Sequence, residues 1–172
     1  MTTPEMLTAL DGMVCLVDTR EQDTPRLRRR LREIGVETAW EKLDAGDYSA
    51  RFPLPDGEWF RVPAAIERKM SLDELASCYC RHRDRFKREF ERAQAAGVKL
   101  YLLVEGATWE DLYAGNYRSQ MHPASFVASL LAWLARYDCQ ILFCEPQTTG
   151  RLIHDTLYRE GREALGKLVE DG

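Results

Sequence analysis

Apolar residues recur along the chain with two different periods, and the period predicts the element. Residues 13–17 (MVCLV) form a short continuous apolar run, the pattern of a strand buried on both faces. In residues 24–35 the spacing is helical. Leu27, Leu31 and Ile34 fall three or four apart, Thr24-Pro25 supplies a cap and a first-turn proline, and Gly35 stops the helix. Residues 36–43 predict a second strand. Residues 48–52 and 59–66 predict two more, joined through Leu54-Pro55-Asp56-Gly57, where Asp-Gly is a strong hairpin signal. Ser71-Leu72-Asp73-Glu74 has the pattern of a capping box, so one long helix is expected from there to about residue 96, ended by Gly97. Residues 99–104 (KLYLLV) predict another buried strand, and 105–121 are loop-like with a helical turn at 109–113. Pro123 opens a helix that is apolar on most of its circumference, through Phe126, Val127, Leu130, Leu131, Trp133 and Leu134. Such a helix is core, or it meets a partner. Residues 139–144 predict a last strand, and Thr149 caps a final amphipathic helix. The sum is an α/β fold, a central mixed β-sheet flanked by helices.

Composition narrows the class. A chain of 172 residues is expected to be one domain. Its parts would be a leader at 1–12, a core at 13–106 and a helix–strand–helix segment at 123–170. Hydrophobic residues at 45% and charged residues at 30% exclude collagen-like, disordered and coiled-coil chains. Twenty-four basic against 28 acidic residues give a net charge of −4, which excludes a histone-like coat for nucleic acid but leaves room for a local basic face. The first residues have neither a basic segment nor a long apolar one, and the longest nearly apolar run, 126–135, is too short to span a bilayer. A cytoplasmic protein with no membrane contact is the expectation. The five cysteines lack framework spacing, which suggests reduced, buried thiols. Cys78, Cys80 and His82 are close in sequence, but residues two apart on a helix point to different faces, so Cys80 cannot join the other two on a metal.

The candidate chemistry gathers at strand ends. Asp47 opens one predicted strand, and Glu67, Arg68 and Lys69 close the next. Side chains alternate along a strand, so Glu67 and Lys69 share a face and Arg68 takes the other. A hairpin would bring Asp47 within reach of the pair. Two carboxylates and a lysine at one pocket suit a hard cation such as Mg²⁺ with an activated water, the lysine orienting the water or stabilising developing charge. The plain alternative is a surface salt bridge between Glu67 and Lys69.

A wider pattern bears on that choice. Asp18-Thr19-Arg20-Glu21, then Gly46-Asp47, then Glu67-Arg68-Lys69 with Asp73 four positions beyond, resembles the nuclease domain of the XPF-type structure-specific endonucleases. The likeness covers residues 13–106 well and the segment after Pro123 more loosely. It implies a restriction-endonuclease-like core that cuts DNA with Mg²⁺ or Mn²⁺. By that resemblance Asp47, Glu67 and Asp18 would be metal ligands, with Glu21 completing the acidic cluster. Lys69 would act on the nucleophilic water, and Arg20 and Arg68 would support the site or the phosphate. For Arg20 the alternative is an ion pair with a neighbouring carboxylate. Asp73 matches the motif too, although an acid in a first helical turn is favoured by the helix dipole anyway. Neither the helicase portion nor the tandem helix-hairpin-helix modules that help larger members grip branched DNA are expected within these 172 residues, so substrate choice would rest on the domain's own surface, on dimerisation or on a partner protein.

The DNA-binding candidates follow. Residues 81–92 carry six basic and three acidic side chains, a local excess of +3. Arg85 matches an arginine of the family's helix, and Arg81 and Arg88 lie on the same segment. The arginines of residues 26–32 are either a second phosphate track or a solvated helix face. Tyr117 and Arg118 suit an unpaired base or backbone, or else ordinary loop packing. By resemblance the helix at 123–135 would serve a homodimer, with Phe126 and Trp133 as anchors, and a protein partner could direct targeting. The functional expectation is a metal-dependent endonuclease for branched, flap or junction DNA, in a bacterial, phage or plasmid setting. Its rivals are a non-catalytic scaffold, a restriction- or resolvase-type nuclease on the same core, and a small-molecule enzyme using Mg²⁺.

Overall fold

The apolar run near the start does fold as a strand. In a computed structural model, which describes residues 1–170, β1 (Val14–Asp18) is buried at all of its positions. It pairs parallel with β2 (Glu37–Glu41) and antiparallel with β3 (Tyr48–Pro53), so the sheet is mixed. β4 (Trp59–Arg61) pairs antiparallel with β3. Their turn closes through Leu54 and Gly57, whose φ of 87° is a backbone conformation L side chains rarely adopt. The single strand expected over 59–66 is instead β4 and then β5 (Ala64–Lys69). Pro63 lies at the break, where a residue without an N–H cannot continue a ladder.

The described chain gathers into two compact units that interleave in sequence. The first holds residues 1–43, 47–65 and the C-terminal helix; the second holds 44–46 and 66–148. In the first unit, residues expected to be a leader form α1 (Thr3–Asp11), opened by a Thr2–Glu5 capping box and burying Met6, Ala9 and Leu10. α2 (Pro25–Ile34) begins and ends where its cap residues predict: the Thr24 hydroxyl accepts from the Leu27 amide, and Gly35 takes the left-handed conformation. α7 (Thr149–Glu170) packs on α1, α2 and β3. Two glycines permit that approach. A Cβ at Gly150 would come within 2.5 Å of the Arg30 carbonyl, and one at Gly161 would collide with the Phe52 ring.

In the second unit the long helix expected to reach residue 96 is broken. α3 (Leu72–Cys80) and α4 (Arg83–Ala95) are separated at Arg81-His82, with His82 at φ −124° and ψ 27°. The cause is tertiary. A continuous helix would place residues 79 and 86 about 10 Å apart along its axis, yet the Tyr79 and Phe86 rings meet edge to face at 5.6 Å. Both pack on Trp133 of α6 (Pro123–Tyr137), at 4.8 and 5.0 Å. Aromatic pairing of this kind offsets the loss of a helical turn. β6 (Lys99–Glu105) pairs parallel with β7 (Gln140–Cys144), and the short α5 (Trp109–Ala114) packs on α6.

Two expectations change here. Phe126 and Trp133 are fully buried in this chain's own core and cannot also anchor a partner; of the apolar residues expected on that helix, Leu131 is exposed. The burial expected of the cysteines does not hold throughout: Cys15 and Cys139 are buried, and Cys80 is exposed. Burial pushes the Cys15 and Cys139 thiols up to about 12. Among the described residues, no helix is long and apolar enough to cross a membrane.

Candidate active site

In the first unit the acidic residues stand at the end of β1 and the start of β3. The buried Asp18 carboxylate accepts four hydrogen bonds. Its Oδ1 takes the Arg20 amide at 2.8 Å and Nε at 2.6 Å; its Oδ2 takes Arg20 Nη2 at 3.1 Å and the Leu43 amide at 2.8 Å. Desolvation alone would raise the Asp18 pKa, but the bonds from Arg20 and Leu43 outweigh it and hold the carboxyl below its ordinary value. Arg20 thus forms an ion pair with a neighbouring carboxylate while its side chain stays half exposed. The Asp18 amide donates to the Asp47 carbonyl at 2.9 Å, which sets the half-buried Asp47 beside β1. Gly46 before it has φ 74°, so a glycine at that motif position serves the turn. Glu21 is held by a buried pair: the Tyr48 hydroxyl donates to it at 3.1 Å, and Arg30 lies 3.7 Å from it while donating to Tyr48 at 2.7 Å. Nothing in the sequence patterns marked Arg30 as different from its four neighbouring arginines.

In the second unit, β5 ends in Glu67, Arg68 and Lys69. Strand alternation separates them as expected. Arg68 makes a bidentate pair with Glu105 at the end of β6, two contacts of 2.8 Å. That partner was missed; a carboxylate directly after the strand predicted at 99–104 was the available signal. Glu67 and Lys69 share the other face, with Lys69 Nζ 2.5 Å from Glu67 Oε1 and 5.4 Å from the centre of the Phe86 ring. Both side chains are at least nine-tenths buried, so this is not the surface salt bridge of the plain alternative.

The pair opens onto a cavity of about 310 Å³, also lined by Ser77, Cys78, His82 and Arg85. The helix break at Arg81-His82 brings His82 to this wall, and a sequence read as one helix hides that. Cys78 is raised in pKa by burial, which disfavours a thiolate. Arg81 and Arg118 line an adjoining open cleft. Arg88 is exposed on α4 and lines neither cavity. Tyr117 packs as part of its loop, with its hydroxyl on the Met121 carbonyl at 2.8 Å and its ring against Phe126. Asp73 accepts from the Arg118 and Ser119 amides.

These features define a class before they define a family: a mixed sheet with flanking helices and a Glu-x-Lys at a strand end, the restriction-endonuclease-like nuclease fold. The chain belongs to the ERCC4 domain family, whose model matches residues 17–156. Among solved structures it is similar to XPF from Aeropyrum pernix, with a TM-score of 0.59 and 23% identity, covering 85% of this chain and 60% of that one. It is equally similar to the XPF from Aeropyrum pernix solved in complex with DNA, with a TM-score of 0.60 and 23% identity, covering 88% and 66%. The chain thus spans less than two thirds of either. No curated protein matches its sequence.

A divalent cation of the hard type needs oxygen donors. In the second unit Glu67 offers a buried carboxylate, and in the first unit Asp47 offers a half-buried one; each by itself is an oxygen donor of the right type. Asp18 fits less directly, because a cation would have to displace one of its four hydrogen bonds. Among the described residues, no three His, Cys, Asp or Glu side chains form a ready cage. Mg²⁺ commonly takes one or two carboxylates and completes its shell with water and phosphate oxygens.

Proposed function

We propose that the protein is a Mg²⁺- or Mn²⁺-dependent DNA endonuclease that hydrolyses phosphodiester bonds, with branched, flap or junction DNA as its substrate class. The observation that carries this reading is the buried Glu67–Lys69 pair facing an open cavity beside Arg85. A buried ion pair contributes little to stability over an apolar substitute. One retained at a cavity wall, with an arginine beside it, is better explained by chemistry.

In this reading the motif assigns the cation to Asp47 and Glu67. When bound, it would supply Lewis acidity toward the phosphate and lower the pKa of a coordinated water. The residues of the chain do the rest. Lys69, held by Glu67, presents an ammonium to the attacking water or to the charge growing on phosphate oxygen. Arg85 draws the phosphate to the cavity mouth. Asp18, locked by Arg20 and Leu43, keeps the β1 end fixed and through it the Asp47 backbone. Arg68, bound to Glu105, sets the end of β5 so that Glu67 and Lys69 stay on one face. A homodimer, if formed, uses residues other than Phe126 and Trp133. The setting proposed is cytoplasmic DNA processing in a bacterial, phage or plasmid context.

The test is cleavage of end-labelled fork, flap, four-way-junction, duplex and single-stranded DNA with Mg²⁺, Mn²⁺ or EDTA. Metal-dependent cutting of a branched substrate is expected. A folded protein that binds DNA yet cuts none of them under any metal would replace this reading with a DNA-binding scaffold.

A further inference from the structure

The cavity at Glu67 and Lys69 has a neighbour. An open cleft of about 660 Å³ is lined by Asp73, Ser77, Cys80, Arg81, Arg118 and Met121, and Ser77 also lines the first cavity. Helix α3 is therefore a shared wall. One side of the cleft is α3, from Asp73 in its first turn to Cys80 in its last, with Arg81 after it; the other is the loop at 116–121. Arg118 on that loop is almost wholly exposed, its side chain 93% accessible.

We infer that Asp73 is a positioning residue: it clamps the 116–121 loop so that Arg118, together with Arg81, takes a phosphodiester of bound DNA beside the Glu67–Lys69 cavity. The clamp joins residues 45 and 46 positions apart. Asp73 Oδ1 accepts both the Arg118 and the Ser119 amides at 2.8 Å, and Oδ2 accepts Arg118 Nε at 3.1 Å. Two of these three bonds go to backbone, so they fix the path of the loop and not merely one side chain. An exposed ion pair alone would do little. Binding Arg118 through Nε leaves its outer guanidinium nitrogens for an anion. The loop has its own supports, since Asn116 is bound to Asp111 and Tyr117 to Met121 and Phe126. Asp73 adds the tie to α3, and hence to the wall that both cavities share.

The inference rests on the DNA reading above for its ligand but not for the clamp itself. The test compares Asp73→Ala, Asp73→Asn and Arg118→Ala in the full chain. The readouts are affinity for a fork-shaped DNA in EDTA, affinity for Mn²⁺ alone, and hydrogen exchange at the Ser119 amide. Asparagine keeps an acceptor oxygen for the two amides; alanine keeps none. Asp73→Ala should weaken fork binding about 5- to 10-fold, the loss worth about one hydrogen bond. Arg118→Ala should match it, and the double variant should be no worse than either. Ser119 exchange should speed up about 10-fold in Asp73→Ala, for the same reason. Asp73→Asn should restore both to near wild type, and Mn²⁺ affinity should stay level throughout. Unchanged Ser119 exchange in Asp73→Ala would overturn the clamp. An Asp73→Asn variant as impaired as alanine, with Mn²⁺ affinity lost in both, would make Asp73 a metal ligand instead. If wild type binds no DNA at all, the proposed function and the phosphate cleft fall together, while Ser119 exchange still decides the clamp.

Discussion

Helices α2 and α4 carry five basic residues each and use them differently. On α2, Arg28 pairs with Asp23 at 2.7 Å and Arg29 with Glu33 at 3.1 Å. Arg30 is buried against Tyr48 and Glu21. On α4, Arg92 is bound to Glu89 and to the Asp44 carbonyl, and Lys87 to Glu91. Arg85, however, faces the cavity that holds Glu67 and Lys69. The lesson is that the count of arginines does not find a phosphate site. What distinguishes the two helices is whether a cation is held by a group of the protein or lines the cavity that Glu67 and Lys69 also line. On α2, Arg30 ties the helix to its own unit; on α4, Arg85 lines the cavity.

Arg30→Ala should cause the largest loss of stability, about 2–3 kcal/mol in chemical denaturation, because it strips a buried charge-assisted contact from Tyr48 and Glu21. A variant as stable as wild type would show that Arg30 is no anchor. Arg85→Ala should leave stability level but weaken DNA binding about 10-fold and reduce the slope of affinity against salt by about one. Equal affinity and slope would mean that Arg85 faces solvent only.

Asp18 extends the contrast to pH. Its folded pKa is depressed, so the unfolded chain binds protons more readily. The resulting stability is fully present above the unfolded value of about 3.9 and is lost as pH falls through the lower folded value. Denaturation midpoints across that acidic range should fall for wild type and fall less for Asp18→Asn. Parallel curves would remove Asp18 from the account of acid unfolding. The smallest effect is expected of Arg28→Ala, which should alter neither the denaturation midpoint nor DNA affinity. A loss of DNA binding as large as that of Arg85→Ala would make α2 a phosphate track after all.

Much of this was legible in the residues, for physical reasons. Thr24, Pro25 and Gly35 bounded α2 because caps act locally. Alternation along β5 put Glu67 and Lys69 together and Arg68 apart, because a strand has a fixed period. What was hidden depended on distant partners. The break at Arg81-His82 exists because Tyr79 and Phe86 converge on Trp133, 54 and 47 positions away. Asp73 had a sufficient local explanation as a first-turn acid, yet its hydrogen bonds go to a loop 45 positions along the chain. Arg30 could not be told from Arg29 until burial separated them. Pro63 was visible, and its effect on the strand followed from a missing N–H.

Chemistry, not structure, is the role proposed for Glu67 and Lys69. It is tested most directly by single-turnover cleavage of a branched DNA at saturating protein and Mg²⁺, comparing wild type with Lys69→Ala, with circular dichroism and DNA affinity measured on the same preparations. The account predicts a rate at least about 100-fold lower for Lys69→Ala, the scale for removing one preorganised electrostatic group, with fold and DNA affinity retained. Cleavage by Lys69→Ala at the wild-type rate would contradict it and move the chemistry elsewhere in the molecule.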